Sequence, residues 1–140
     1  MIRFMLDTNI CIYIAKKKPI EVLSRFEGLT IGQVGMSSIT HGELLYGAHK
    51  SQYPKKAMKA IEELTGLIPA LPIPTEAGCY YGQIRCMLEK AGKPIGNNDL
   101  WIAAHAMALN VVLVTNNVRE FHRIPHLKIE NWVDTQLSSF

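Results

Sequence analysis

An α/β fold, with a central mainly parallel β-sheet and helices on both faces, is what this sequence predicts. Three observations carry it. Short apolar runs alternate with longer segments of helical period, the order that builds parallel sheets through helical crossovers. Residues 111–115 open with four consecutive apolar residues, three of them Val, as a strand buried on both faces requires. The 140 residues suit one domain, 1–140, with a core large enough to need no disulfide or structural metal.

Residues 1–6 form an apolar run ending at Asp7 and read as the first strand. Asp7-Thr8-Asn9 is a cluster of N-cap types, and Ile10, Ile12, Tyr13 and Ile14 continue it as a short helix that stops near Lys16 to Pro19. A second short helix runs over 19–26, ended by Gly28, and 34–37 is a strand. Leu44, Leu45 and Ala48 mark the apolar face of a helix over 40–50, where Thr40-x-x-Glu43 has the form of a capping box. Pro54 opens a helix through Leu64. Residues 67–73 are apolar but hold Pro69 and Pro72, so they can only be an edge strand. Thr75 is expected to cap a helix to about Ala91, and 92–97 is a Gly, Pro and Asn loop. A strongly apolar helix over 99–109, the buried strand 111–115 and a last short strand over 127–129 complete the series.

Composition narrows the class. Hydrophobic residues at 48% and charged residues at 19% exclude disorder and low complexity. The net charge of +3 permits a nucleic-acid partner without demonstrating one, and the excess lies in residues 1–70, with nine Lys/Arg against six Asp/Glu. No apolar run is long enough for a membrane helix, and Asp7 breaks the pattern of a signal peptide. Three Cys do not make a disulfide framework. All three are expected to be reduced core residues of a cytoplasmic protein, and His105, in an apolar helix, a core histidine.

Four acids fall at places that matter. Asp7 closes the first strand, Glu43 lies in the first turn after the second, Asp99 opens the apolar helix, and Glu120 follows the last buried strand. Each also has a plain structural reading, as helix cap, capping-box arm, dipole complement or solvated charge. In a parallel sheet, however, strand ends and following helix starts gather on one edge, where ligands bind. Carboxylates brought together there repel, and a divalent cation removes the repulsion. Hard oxygen donors select Mg²⁺, with Mn²⁺ as a substitute.

Four segments carry a family resemblance. They are Phe4-Met5-Leu6-Asp7-Thr8-Asn9; Ser37-Ser38-Ile39-Thr40 with Glu43-Leu44 and Tyr46-Gly47; Gly92-Lys93-Pro94-Ile95-Gly96 with Asp99; and Val114-Thr115-Asn116-Asn117 with Arg119-Glu120-Phe121. In order and spacing they resemble the PIN-domain toxins of VapC type, closest to the bacterial branch that cleaves initiator transfer RNA. The resemblance implies a PIN domain with a central parallel sheet and Mg²⁺-dependent endoribonuclease activity. It also implies a cognate VapB-type antitoxin and a homodimer. Asp7, Glu43 and Asp99 match the family's acidic metal site. Many PIN domains carry a fourth acid two residues after the Thr matching Thr115; here that place is Asn117, and Glu120 lies three residues further on.

The residues support a mechanism of metal-assisted hydrolysis. A cation held by Asp7, Glu43 and Asp99, with Glu120 beside them, would activate water for in-line attack on a phosphodiester, leaving 5′-phosphate and 3′-hydroxyl ends. Asn9, Thr115 and Asn117 are candidates for orienting these groups. Lys16, Lys17, Lys18, Lys50, Lys55, Lys56 and Lys59, interleaved with Tyr46 and Tyr53, are candidates for the RNA backbone and loop bases, as are Arg85 and Lys93. Ile10, Ile12, Tyr13 and Ile14 are expected to form an exposed groove for a helix of the antitoxin. Two other readings remain open: a non-catalytic PIN-like RNA-binding scaffold, and a PIN nuclease acting on ribosomal or messenger RNA.

Overall fold

The computed structural model describes residues 1–133; the expected domain end at residue 140 lies outside them. The elements follow in chain order as β1 (Phe4–Leu6), α1 (Thr8–Lys16), α2 (Ile20–Glu27), β2 (Val34–Ser37), α3 (Ser38–His49) and α4 (Pro54–Leu67). After these come β3 (Ala70–Leu71), α5 (Ala77–Lys90), α6 (Asn97–Leu109), β4 (Val112–Val114), α7 (Val118–Phe121) and β5 (Ile129–Glu130).

The five strands form one sheet in the order β3-β2-β1-β4-β5, and every pairing is parallel. Met5 of β1 stands between Gly35 of β2 and Leu113 of β4. Side chains alternate across this sheet, as the pleat demands. Phe4, Leu6, Val34, Met36 and Val114 face a core built with Ile10 and Ile14 of α1, Val22 of α2, Leu44 of α3 and Leu64 of α4. Met5 and Leu113 face the other core, built with Ile84 and Leu88 of α5, Leu100 and Ile102 of α6, and Phe121 of α7. Helices therefore cover both faces. Gly35 lets Leu71 pack against β2: a Cβ there would lie 2.7 Å from Leu71 Cδ1, and the leucine side chain would have to shift.

The chain runs from β1 to β2 to β3 in one direction, then returns to the far side of β1 for β4 and β5. Such a reversal opens a crevice at the carboxyl ends of the two strands flanking it, here β1 and β4. Asp7 and Thr115 are the residues that follow those two ends.

Several local expectations are corrected. β2 passes into α3 with no loop, so the extended residue before the helix is Ser37, whose hydroxyl accepts from Ile39 N–H at 3.1 Å. Thr40 is buried inside the first turn, and the expected capping box does not form. Thr75 makes no side-chain cap; main-chain carbonyls of Pro74 and Thr75 accept from the first N–H groups of α5. α6 starts two residues early, at Asn97, because extended Gly96 provides the N-cap. The last strand lies at 129–130 instead of 127–129, and α7 is an additional turn of helix. Of the three cysteines only Cys11 is core; Cys79 and Cys86 are exposed on α5. Ile10 and Ile14 are buried, so they build the core and not a surface groove, while Ile12 and Tyr13 are half-buried. No helix among the described residues is long and apolar enough to cross a membrane.

Candidate active site

Asp7 is fixed from two sides. It caps α1, its Oδ1 accepting from Thr8 N–H at 2.8 Å. Its Oδ2 accepts from the Thr115 hydroxyl at 2.7 Å, a contact that ties β1 to β4 across 108 residues of sequence. Thr115 is fully buried and accepts in turn from Asn117 N–H at 3.0 Å. Burial pushes the Asp7 carboxyl above the ordinary carboxylate range. The bonds from Thr115 and Thr8 pull it down, and the Glu43 charge pushes it up.

Glu43 lies one turn into α3 and accepts from the Thr8 hydroxyl through Oε1 at 2.8 Å. Thr8 thus joins two acids, through its amide to Asp7 and its hydroxyl to Glu43. The sequence reading missed this role because Thr8 stood in a run of cap-type residues, and its second contact is 35 residues away. Glu120 is held by Asn117, whose amide nitrogen donates to Oε2 at 3.0 Å. Asn117 thus supports an acid one helical turn further on.

Asp99 is the third residue of α6 and half-buried. Burial first, then the charges of Asp7, Glu120 and Glu43, and a proton shared with Glu120, push its pKa from 3.8 to about 7. Asp99 therefore feels the charge of each of the other three acids. Among the described residues the ion pairs are Arg25–Glu130 and Arg85–Glu89, so none of the four has a Lys or Arg partner. No three metal-ligating side chains among these residues stand close enough to hold one ion, so the close convergence expected of Asp7, Glu43 and Asp99 is not seen. The donor set is all oxygen, uncompensated in charge, and suited to a small hard cation.

The other sequence candidates divide. Thr115 and Asn117 support carboxylates, as stated. Asn9 does not: its amide donates to Asn116 Oδ1 at 3.4 Å, and Asn116 donates to the Tyr13 hydroxyl at 2.9 Å. This chain of amides braces α1 against the end of β4. Lys16, Lys17 and Lys18 are exposed at the end of α1, Lys55, Lys56 and Lys59 are exposed on α4, and Lys93 is exposed in the 92–97 loop. Lys50 Nζ lies 5.0 Å over the exposed ring of Tyr46, in reach of a cleft of about 660 Å³ that both share with Glu43. Arg85 is exposed on α5 and bonds Tyr81 and Glu89. His105 is fully buried, its Nδ1 2.9 Å from the Ser37 hydroxyl, and burial lowers its pKa.

Known proteins match this chain over most of its length. The family model described as PIN domain matches residues 4–127. The chain belongs to the PIN-domain family, in its VapC branch. Ribonuclease VapC2 of Haemophilus influenzae is 46% identical over 133 residues, which is 95% of this chain and 100% of that protein. A Shigella flexneri protein named tRNA(fMet)-specific endonuclease VapC is 45% identical over 94% of this chain and 99% of that protein. The crystal structure of DNA-bound VapBC from Salmonella typhimurium aligns with a TM-score of 0.88 at 44% identity, covering 94% of this chain and 99% of that one. VapC proteins are ribonucleases, and the four acids of this PIN fold are gathered where its sheet reverses direction.

Proposed function

We propose that this chain, acting as one domain over 1–140, is a Mg²⁺-dependent endoribonuclease and the toxin of a type II toxin–antitoxin pair. Its substrate is initiator transfer RNA, cut in the anticodon loop, so that translation is inhibited. It acts in the cytoplasm as a homodimer and is neutralised by a cognate VapB-type antitoxin. The observation that carries the reading is Asp99 facing the charges of Asp7, Glu43 and Glu120, with no basic partner for any of them among the described residues. The Shigella relative's name supports the substrate, and the VapBC assembly from Salmonella supports the partner.

Asp7, Glu43 and Asp99 would hold the ion, Mg²⁺ or in its place Mn²⁺. When bound, it supplies positive charge that polarises a phosphodiester oxygen and lowers the pKa of water. The chain's own groups do the rest. Thr115 and Thr8 hold the carboxylates of Asp7 and Glu43 in one orientation each. Glu120, steadied by Asn117, stands beside Asp99 and adds negative charge there. The antitoxin finds an apolar cleft of about 490 Å³ between α1, α3 and α4, walled by Ile12, Ala15, Leu44, Ala57 and Ile61, with Lys16 and Glu43 also in its wall. This cleft replaces the groove expected from Ile10 and Ile14.

The test uses antitoxin-free wild type and Asp7→Asn, each incubated with total RNA and Mg²⁺, with every new 5′ end mapped by sequencing. The expected result is one new 5′-phosphate end in the anticodon loop of initiator transfer RNA, from wild type alone. Cleavage in excess EDTA, or cyclic phosphate ends, overturns the mechanism. New ends in ribosomal or messenger RNA overturn the substrate, and intact RNA from folded wild type favours a non-catalytic scaffold.

A further inference from the structure

α6 buries Leu100, Ile102, Ala103, Ala104 and Ala106 in the core that Met5 and Leu113 of the sheet share. In the middle of this apolar run it also buries a histidine. His105 is fully buried, and the chemistry at the acids makes no use of it. Its Nδ1 lies 2.9 Å from the Ser37 hydroxyl, which is fully buried as well. Among the described residues this is the hydrogen bond that joins α6 to the junction of β2 and α3.

The bond has a direction. Ser37 is the last residue of β2 and the N-cap of α3, its oxygen accepting from Ile39 N–H at 3.1 Å. Its own hydrogen is free for Nδ1. Burial lowers the pKa of the ring and keeps it neutral, with one acceptor and one donor nitrogen. Nδ1 is then the acceptor, and the ring hydrogen is on Nε2. The Pro72 main chain raises the ring's pKa, as a carbonyl near a ring N–H does, yet no bond of good geometry reaches Nε2. One nitrogen is therefore buried unpaired. Such a group costs stability, and an apolar side chain of similar size avoids that cost. Stability thus gives no reason for a histidine here. What a satisfied buried polar pair does supply is a unique alignment of the elements that carry it.

Those elements carry two of the acids. Glu43 lies six residues after Ser37 along α3, and Asp99 lies six residues before His105 along α6. Each carboxylate is thus about 9 Å of helix from the joint. Over less than two turns a helix moves as a rod, so a shift at the joint is carried to both acids. We propose that His105 is a positioning residue for the acidic site: its bond to Ser37 fixes α6 against α3, and with them the span between Asp99 and Glu43 that an ion must bridge. The proposal rests on the reading that these acids hold one cation.

The test sets metal affinity against stability, and neither readout depends on RNA cleavage. Mn²⁺ binding by the full chain is followed at pH 8 through the spin resonance of the free ion, and melting is followed in EDTA. His105→Leu keeps the Ser37 cap and removes the joint. It is expected to melt no lower than wild type and to bind Mn²⁺ about tenfold more weakly, the lower end for groups that orient metal ligands. His105→Asn places an acceptor where Nδ1 stands and is expected to recover most of the affinity, even if it melts lower. Ser37→Ala breaks the same joint from the other side, so it tests the proposal where His105→Leu does not fold. The double variant is expected to bind no more weakly than the weaker single one. Wild-type affinity in His105→Leu, or an affinity that follows melting temperature through the series, overturns the positioning role and leaves the nuclease reading intact. No Mn²⁺ binding by folded wild type overturns the cation reading and the proposal with it. If the affinity pattern holds while wild type cleaves no RNA, the positioning role stands and the nuclease reading falls.

Discussion

Asp7 and Asp99 face each other across the same crevice, yet the fold treats them differently. Asp7 stands at a strand end, where two donors from different elements are aimed at its two oxygens. Asp99 stands in a helical first turn, where its hydrogen-bond partner is another acid, Glu120, and every cause acting on it raises its pKa. Burial disfavours charge at both, but only at Asp7 does the protein offset that cost. The difference separates what is preorganised from what is left open. Asp7 is an anchor whose position is determined before anything binds, while Asp99 is left without compensation for its charge among the described residues.

The largest expected effect treats the two alike. Asp7→Asn and Asp99→Asn should each lower RNA cleavage at saturating Mg²⁺ by about 10³-fold or more, since each removes a charged donor from a reaction to which the ion contributes several kcal/mol. End-labelled substrate at a single time base checks this. Activity within tenfold of wild type in either variant would remove that residue from the site.

Thr115→Val comes next and acts only on the Asp7 side. The hydroxyl is fully buried, and its loss leaves Asp7 Oδ2 and Asn117 N–H without their partner. We expect cleavage to fall about 10- to 100-fold, as for groups that orient a metal ligand, and stability to fall by about 1–3 kcal/mol. Thr115→Ser should restore both, and failure of that rescue would mean that packing, not the hydroxyl, is what matters.

Stability then separates the two acids. Asp99 binds its proton more tightly folded, at about 7, than unfolded, at 3.8. The stability linked to that proton is complete below pH 4 and is lost as pH rises through 7. Buried His105 works in the opposite sense, because its lowered pKa costs stability as pH falls below 6.5. Comparing Asp99→Asn with wild type removes the histidine from the account. In EDTA at pH 8, Asp99→Asn should melt a few degrees higher than wild type, on the order of 1 kcal/mol or more. The gain should vanish near pH 4 and be smaller in Asp7→Asn, whose bonds to Thr8 and Thr115 already compensate the charge. Equal melting of both variants and wild type at pH 8 would show that the acids do not strain the fold. Mg²⁺ should raise wild type more than either variant.

Much of this arrangement was legible in the chain. Buried parallel strands announce themselves as apolar runs, so β1, β2 and β4 were found, and with them the edge where Asp7, Glu43, Asp99 and Glu120 lie. What escaped depends on contacts distant in sequence or on junctions without loops. Thr40 looked like a cap because the pattern Thr-x-x-Glu says nothing of β2 running straight into α3. Thr8 and Asn9 carry the same cap-type chemistry, and only the tertiary fold turns one toward Glu43 and the other toward Asn116. Cys79 and Cys86 were assigned to the core by type. At i and i+7 they do share a helix face, but it is the face opposite Ile84 and Leu88.

The smallest expected effect falls on Glu120, and it decides which side of the comparison that residue belongs to. Glu120 resembles Asp7 in having a partner, Asn117, and resembles Asp99 in facing like charges. If it acts only as a neighbour, Glu120→Gln removes one of the charges that raise Asp99. The Asp99 pKa, followed by carbon NMR of the carboxyl, should then drop toward the ordinary carboxylate range while cleavage falls by no more than about tenfold, less than the roughly 10²-fold or more that a positioned proton-transfer group contributes. The amide keeps one oxygen for Asn117, so the packing of α7 is retained. A loss as deep as that of Asp99→Asn would instead make Glu120 a ligand in its own right. The acid missing at position 117 would then be replaced in function by one a helical turn later.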